Sequence, residues 1–465
     1  MEAKIPYDIS SSSSIEAFAK KLIGKTFRDV LPEDYKMYEG KGGLGQLLEK
    51  YYFLYEPNSE HEPDFKEAGV ELKTTPFKKL KKGDLFSAKE RLVLNIINYM
   101  EVHKEEFENS SFLHKNKLIL LIFYLFEEDI ASLDYQIKFA QLFEFSEVDL
   151  KIIKDDWNKI IRKIRAGEAH LLSESDTNYL AACTKGANAS SVRKQPFSDE
   201  PAKQRAFSLK GSYMTQLLRD YIFPGKKTYH QEIVKDTKIL ESRTFEDYVL
   251  DRIHEHQGKS IEEIAKMYGV KDKPNSKNYA SKVALAMLGV QTKNALEFEK
   301  GNIKVKTIRV EQNCSVKESM SFPAFKFTEI IKEDWELSSL RQILLDTRFL
   351  FVIYQFNLEG NLILDRGMFW NIPYHDLETE VKMVWEKTIS IIKSGVKVVK
   401  KSGIREFNNL PSGTENRVAH VRPHGRDKTD TYPLPTGGEF TKQSFWLNNS
   451  YIKEQISKNE LKNLK

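Results

Sequence analysis

Asp64, Glu71 and Lys73 stand close together in the run P-D-F-K-E-A-G-V-E-L-K-T-T-P at residues 63–76. Val70, Glu71, Leu72, Lys73 and Thr74 alternate apolar and polar side chains, the period of a half-buried strand. Side chains two apart on a strand share a face, so Glu71 and Lys73 point the same way. A turn through Glu67, Ala68 and Gly69 would return Asp64 to the side of Glu71. Two carboxylates and an ammonium then surround one point. Such a cluster can hold a hard divalent cation through its oxygens and seat a water that becomes a nucleophile as its pKa falls. A phosphodiester is the natural substrate, because the cation offsets charge developing on the phosphate while Lys73 orients or helps deprotonate the water. In a chain with 30% charged residues, the spacing alone fits a solvated strand equally well.

The rest of the chain must supply the frame. Its 465 residues exceed one ordinary core, and 40% hydrophobic with 11% aromatic content is ample for two domains or more. A net charge of +5 with a pI near 8.7 fits a nucleic-acid partner without demanding one. Two cysteines, Cys183 and Cys314, make neither a disulfide framework nor a conventional zinc site. The longest apolar run, residues 118–126, is too short to cross a bilayer, and the N-terminus has no leader pattern. A soluble, cytoplasmic protein with no membrane role is expected.

Residues 14–21 read as an amphipathic helix capped by Ser14, and the Gly-rich residues 40–52 as a turn entering a buried helix that carries Glu49. Glu49 is either a surface glutamate or a supporting carboxylate. Residues 77–82 resemble a basic surface loop, residues 92–99 and 118–126 buried strands, and residues 149–167 a helix with an Ile152, Ile153, Trp157, Ile160, Ile161, Ile164 stripe. Residues 181–193 form a small, polar, basic loop, and residues 214–221 a helix. After a charged stretch the order returns. Residues 260–266 echo 14–20, residues 297–307 follow 64–74 without a gap, and 335–339 repeat 107–111. The helix at 376–395 repeats 149–167, with Trp385 placed as Trp157 is. Residues 419–426 stand for the Ala181 loop. The duplication contains its own control: Glu71 becomes Lys304, Asp64 becomes Glu297, and Lys115 falls opposite Ile343. An ammonium in place of a carboxylate ligand repels a cation, so the second copy has kept the fold and lost the chemistry.

The D-F-K-E-A-G-V-E-L-K-T-T-P run resembles the MutH family of GATC endonucleases. So do the upstream G-G-L-G-x-L-L-E, His114-Lys115, Asp155-Asp156-Trp157 and the T-K-G-A-N-A loop at 184–189. The resemblance spans about residues 14–222, and the full length is similar to the two-lobed type II restriction enzymes that cut GATC. It implies an α/β fold of two tandem restriction-endonuclease-like (PD-(D/E)xK, MutH-type) domains, each a mixed sheet flanked by helices. Residues 1–222 would be the catalytic domain, 223–258 a connector, and 259–465 a degenerate DNA-binding or effector domain. The resemblance makes Asp64 and Glu71 the Mg²⁺ ligands, Lys73 the residue that positions water, Glu49 a supporting carboxylate, and Lys115 a contact to the scissile phosphate or a helper in activating the water. Lys185, Gly186, Asn188, Ser208 and Lys210 would face DNA, Lys185 reaching guanine O6/N7 or only phosphate. In the second lobe Arg422, His424 and Arg426 would hold a second site; His420 and His424 lack the partners of a metal site.

Ser208 stands where the family's nickase has tyrosine, and Thr184 where it has proline, which implies cutting that tolerates N6-methyladenine. The expected activity is Mg²⁺-dependent hydrolysis of double-stranded DNA before the G of GATC, leaving 5′ overhangs. One active site must act twice or dimerise transiently. A cognate methyltransferase would act on the same site without needing to bind. The alternatives are a mismatch-repair strand nickase and a non-cleaving DNA-binding protein.

Overall fold

The computed structural model describes residues 5–38, 42–57, 61–80, 85–186, 191–222, 230–274, 276, 278–400 and 406–463. The chain divides into two units, Met1–Tyr248 with Thr292–Ile303, and Val249–Gln291 with Lys304–Lys465.

The first unit opens with α1 (Ser12–Lys20), capped by Ser11, whose hydroxyl accepts from the Ser14 amide at 3.3 Å. The helix therefore starts earlier than the expected cap at Ser14. Next, α2 (Gly43–Leu47) runs into a π-type turn over Leu48–Tyr52. Then follow β1 (Val70–Lys79), β2 (Phe86–Ala88), β3 (Leu92–Ile96), α3 (Tyr99–Val102), α4 (Ser111–Asn116), β4 (Leu118–Leu125) and β5 (Ile137–Phe143). Strand β3 ends short of Tyr99 because Asn98 caps α3, its side chain accepting from the Met100 amide. Phe77, Lys78 and Lys79, expected in a surface loop, extend β1 and pair with β2; Lys81 and Lys82 lie outside the described residues. The sheet runs β2-β1-β4-β5, with β1 and β4 parallel and the outer pairs antiparallel. Ile15, Leu47, Phe53, Phe65, Leu72, Leu120 and Ile122 belong to one core on its face.

Helix α5 (Glu147–Arg165) has the physical marks of a stable helix. Ser146 caps it, Glu147 and Asp149 open it, and Arg162, Lys163 and Arg165 close it, all complementing the dipole. Its isoleucine and tryptophan stripe is buried. Asp156, fully buried, accepts the amides of Asn178 (2.8 Å), Tyr179 (2.6 Å) and Leu180 (3.0 Å), which fixes the start of β6 (Leu180–Thr184). With β7 (Val192–Gln195), β8 (Ser198–Lys203), β9 (Arg205–Leu209) and α6 (Gly211–Ile222) it completes the unit. The order β3-β9-β6 makes β9 a central strand, and β7 and β8 form a hairpin. The expected loop at 181–193 is thus strand up to Thr184, and α6 begins at Gly211, before the expected 214.

The charged stretch after residue 222 holds α7 (Ile239–Ser242) and α8 (Phe245–His254). Beyond it come α9 (Ile261–Met267), α10 (Tyr279–Met287), α11 (Leu296–Gly301), β10 (Ile303–Val310), β11 (Met320–Phe325), α12 (Phe327–Ile330) and α13 (Ser339–Asp346). The second unit continues with β12 (Arg348–Phe356), β13 (Leu362–Trp370), α14 (Tyr374–Asp376), α15 (Lys382–Ser394), β14 (Val398–Lys400) and β15 (Glu406–Asn408). It ends with β16 (Ala419–Pro423), β17 (Thr431–Pro433), β18 (Glu439–Thr441), β19 (Gln443–Leu447) and α16 (Asn449–Asn463). Its sheets, β10-β12-β13 and β11-β19-β16, repeat β1-β4-β5 and β3-β9-β6, and the β17-β18 hairpin repeats β7-β8.

The repeat reaches individual hydrogen bonds. Tyr213 Oη donates to Asp149 at 2.9 Å, and Tyr451 Oη to Asp376 at 2.7 Å. The Ser111 amide donates to Glu105 and the Ser339 amide to Glu333, each at 3.2 Å, while Ser110 and Ser338 cap the helices that follow. The class is the mixed α/β one expected, with mixed sheets flanked by helices. Among the described residues no helix is long and apolar enough to cross a membrane.

Candidate active site

The start of β1 is clasped to the segment before it. Phe65 and Val70 exchange backbone hydrogen bonds of 2.9 and 3.2 Å across a tight turn, which Gly69 allows at φ +64°. Two further bonds cross the clasp: the Asp64 amide donates to Glu71 Oε2 at 3.2 Å, and the Leu72 amide donates to Asp64 Oδ2 at 2.9 Å. Lys73, on the same face as Glu71, donates from Nζ to Glu71 Oε1 at 2.5 Å. The parallel register sets Val70 opposite Leu118 and Glu71 opposite Ile119, so the end of α4 lies beside Glu71. Lys115, buried there, holds Nζ 3.7 Å from Glu71 Oε1. One residue earlier, His114 Nε2 and Glu62 Oε2 are 2.8 Å apart, tying α4 to the chain just before Asp64.

Glu49 joins the cluster from the π-type turn. A Cβ placed on Gly45 would meet Thr74 Cβ at 3.7 Å, Thr74 Oγ1 at 3.8 Å and Glu49 Oε1 at 4.0 Å, so these atoms surround one point. Burial pushes the Glu49 carboxyl up to about 7, helped by the charges of Asp64 and Glu71 and opposed by Lys73 and Lys115. Burial also raises Glu71, against the pull of Lys73. Three carboxylates thus share a place poor in water, and added positive charge would stabilise their ionised forms. The donor set is all hard oxygen. Among the described residues no group of three or more His, Cys, Asp and Glu side chains is placed to hold a metal ion together, so the candidate holders are the pair Asp64 and Glu71, with Glu49 farther off. A carboxylate pair with a third group farther off suits a cation that keeps several waters, as Mg²⁺ does.

The expected DNA-facing residues divide. Lys185 and Gly186 are exposed just past β6, and Asn188 lies outside the described residues. Ser208 and Lys210 are corrections. Ser208 sits in central strand β9, covered on both faces, with its hydroxyl 3.4 Å from the Ala181 carbonyl. Lys210 is buried and donates to the carbonyls of Thr177 (2.7 Å) and Gly301 (3.4 Å), so its ammonium serves the interior. Neither side chain is exposed in this structure.

In the second unit the His424 amide donates to the Lys442 carbonyl at 2.8 Å, as the Lys185 amide does to Gln204. His424 therefore holds the place of Lys185. Arg422 stacks over Trp446 at 5.0 Å, and the His424 ring lies 5.4 Å from the same indole. Arg426 is exposed and pairs loosely with Asp430 at 3.7 Å. His420 is buried against Asn448, and burial lowers its pKa, opposed by the Asn448 hydrogen bond. Lys304, opposite Glu71 in the repeat, is exposed. Glu297, opposite Asp64, is buried and accepts the amides of Ile233 (3.0 Å) and Val234 (2.9 Å). Sequence reasoning passed over Tyr55, Thr74 and Trp446. Thr74 lies inside the opening run without a role read for it, Tyr55 and Trp446 belong to no spaced motif, and burial and contact are what mark all three.

The raised Glu49 pKa makes a sign-definite forecast for the cation-free protein. A carboxyl near 7 in the native state, against an ordinary 4.5, holds its proton more tightly when folded. That stabilisation is complete below pH 4.5 and is lost as pH rises through about 7. Glu49→Gln, uncharged throughout, should therefore melt above the wild type at pH 8 in chelator, with the difference shrinking toward pH 4.5. A melting difference independent of pH would contradict the assigned burial.

Comparison with known proteins bears on the whole length. A family model of the DNA mismatch repair enzyme MutH matches residues 53–156, which include Asp64, Glu71, Lys73 and Lys115. The type II restriction enzyme Sau3AI of Staphylococcus aureus is 40% identical over 479 aligned positions, covering 94% of this chain and 96% of that protein. The DNA mismatch repair protein MutH of Shewanella woodyi is 29% identical over 181 positions, 38% of this chain and 76% of that one. The MutH of Shewanella amazonensis is 29% identical over 182, covering 38% and 79%.

Proposed function

The chain belongs to the MutH-related family of type II restriction enzymes, and from that premise we propose that it cuts both strands of DNA at GATC in a Mg²⁺-dependent reaction. The cut falls before the G and leaves a 5′ overhang. The observation that carries this reading is the grouping of Asp64, Lys73 and Lys115 around the buried Glu71 carboxylate, with Glu49 in the field of the same charges.

When bound, Mg²⁺ supplies Lewis-acid stabilisation of the charge developing on the phosphate. Asp64 and Glu71 would hold it, their carboxylates kept in place by the crossed bonds to the Leu72 and Asp64 amides. Lys73, pinned by Glu71, positions the attacking water. Lys115, presented by α4, contacts the scissile phosphate, and Glu49, with its pKa near neutrality, accepts a proton from the water shell. The water adds to phosphorus as the 3′ oxygen departs. One centre cuts two strands by acting twice or through a transient dimer. Lys185 and Gly186 approach the bases from the end of β6; cutting tolerates N6-methyladenine, and the methyltransferase that shares the site need not bind this chain.

The second unit binds another copy of the site as an effector through Arg422, His424 and Arg426 and is catalytically silent. Support comes from the exposed Lys304 in place of Glu71.

Glu71→Ala should lose cleavage by about a thousandfold or more while retaining GATC binding. Plasmid digestion with sequencing of the ends, beside a gel-shift titration, measures both; full cleavage by the variant contradicts the assignment. For the effector role, Arg422→Ala with Arg426→Ala should slow cleavage of two-site plasmids, and an unchanged rate contradicts it. Substitution is preferable to truncation after residue 258. Truncation would remove residues 292–303 of the first unit, where Lys300 pairs with Asp149 at 2.8 Å.

A further inference from the structure

Tyr55 lies just beyond the turn that carries Glu49, and its surroundings are unusual in three independent ways. Its amide donates to the Glu49 carbonyl at 3.0 Å, so its backbone is fixed to that of a candidate site residue. Reaching this position requires Leu54 to adopt φ +63°, a left-handed conformation that L side chains other than Asn and Asp rarely take. The Tyr55 ring then packs edge-on to Phe65, centroids 5.3 Å apart at 76°, and Phe65 is the immediate neighbour of Asp64. The ring is thus anchored at both walls of the cluster.

Its hydroxyl is buried and has no hydrogen-bond partner among the described residues. Burial raises the phenol well above its usual range, and the charges of Asp64, Glu49 and Glu71 add to the effect, so all three carboxylates act on this oxygen. Thr74 Oγ1, beside Glu49, is likewise buried without a partner. A buried hydroxyl left unpaired is destabilising, and phenylalanine would pack against Phe65 equally well without that cost. A buried donor bonded to no described group and lying in the field of three carboxylates is matched to a bridging water.

We propose that Tyr55 is a positioning residue of the catalytic centre, its hydroxyl donating to a water of the hydrated divalent cation and holding that water against Glu49 and Asp64. This rests on the reading of Asp64 and Glu71 as the cation-holding pair and extends it to the water shell, which two carboxylates leave incomplete. Outer partners of this kind commonly change metal affinity or activity by about 10–100-fold.

The test compares full-length wild type, Tyr55→Phe and Glu71→Gln, using Ca²⁺ alone as the binding probe by calorimetry and Mg²⁺ for turnover. Tyr55→Phe should melt at or above the wild-type temperature in chelator, since an unpaired buried hydroxyl is removed. Its half-saturating Ca²⁺ should rise about tenfold, with kcat lowered and KM for duplex unchanged. A variant that binds Ca²⁺ as tightly as wild type overturns the proposal, whatever its stability. If Glu71→Gln also binds Ca²⁺ like wild type, the underlying assignment of the centre falls; if only Tyr55→Phe does, that assignment stands and this proposal alone fails.

Discussion

The parallel pairing of β1 with β4 is the constraint on which the site depends. It alone brings Lys115, at the end of α4, to the carboxylate of Glu71, a residue far from it in sequence. Strand side chains alternate, so a slip of one residue would turn Glu71 and Lys73 to the opposite face and leave Lys115 beside an apolar position. The clasp between Asp64 and Leu72 guards against that slip at the strand's open end, because its bonds close only in one register. The cost of the arrangement is electrostatic. Carboxylates are buried together, and the two lysines offset their charge only in part, which leaves Glu49 near neutrality.

The second unit repeats the same frame with different residues at the matching positions. Sheet orders, helix caps and the buried tyrosine–aspartate bond all recur. What differs lies where β10 replaces β1 and where β16 and β19 replace β6 and β9. An exposed lysine stands for Glu71, and an arginine stacked on Trp446 appears in the strand pair that, in the first unit, carries Cys183 and Ser208. Framework interactions are repeated and site residues are replaced, as expected where fold and function rest on different residues.

Much of this was legible in the sequence because it is periodic or local. Strand alternation placed Glu71 and Lys73 on one face, a turn rich in small residues returned Asp64, and the Ile/Trp stripe gave α5. Glu49 was legible only as one of two readings and Lys115 only through family resemblance, since neither sits at a diagnostic spacing from the carboxylates. The burial of Ser208 was not legible because exposure depends on strand order and β9 is central, and that of Lys210, just past β9, because its ammonium bonds the Thr177 and Gly301 carbonyls, distant in sequence. Tyr55 left no signal, because its importance comes from a left-handed Leu54 and from burial, both properties of the folded chain.

The central claim is that the duplicated chain contains one working centre, in the first unit. Lys73 and its counterpart Lys306 provide the direct comparison, since both are strand lysines at the same place in the repeat. Cleavage of a GATC plasmid in Mg²⁺ by Lys73→Ala and by Lys306→Ala separates the two positions with the same chemical change. The account predicts that Lys73→Ala abolishes cutting while Lys306→Ala cuts at the wild-type rate. Loss of cutting in Lys306→Ala with retention in Lys73→Ala would contradict it.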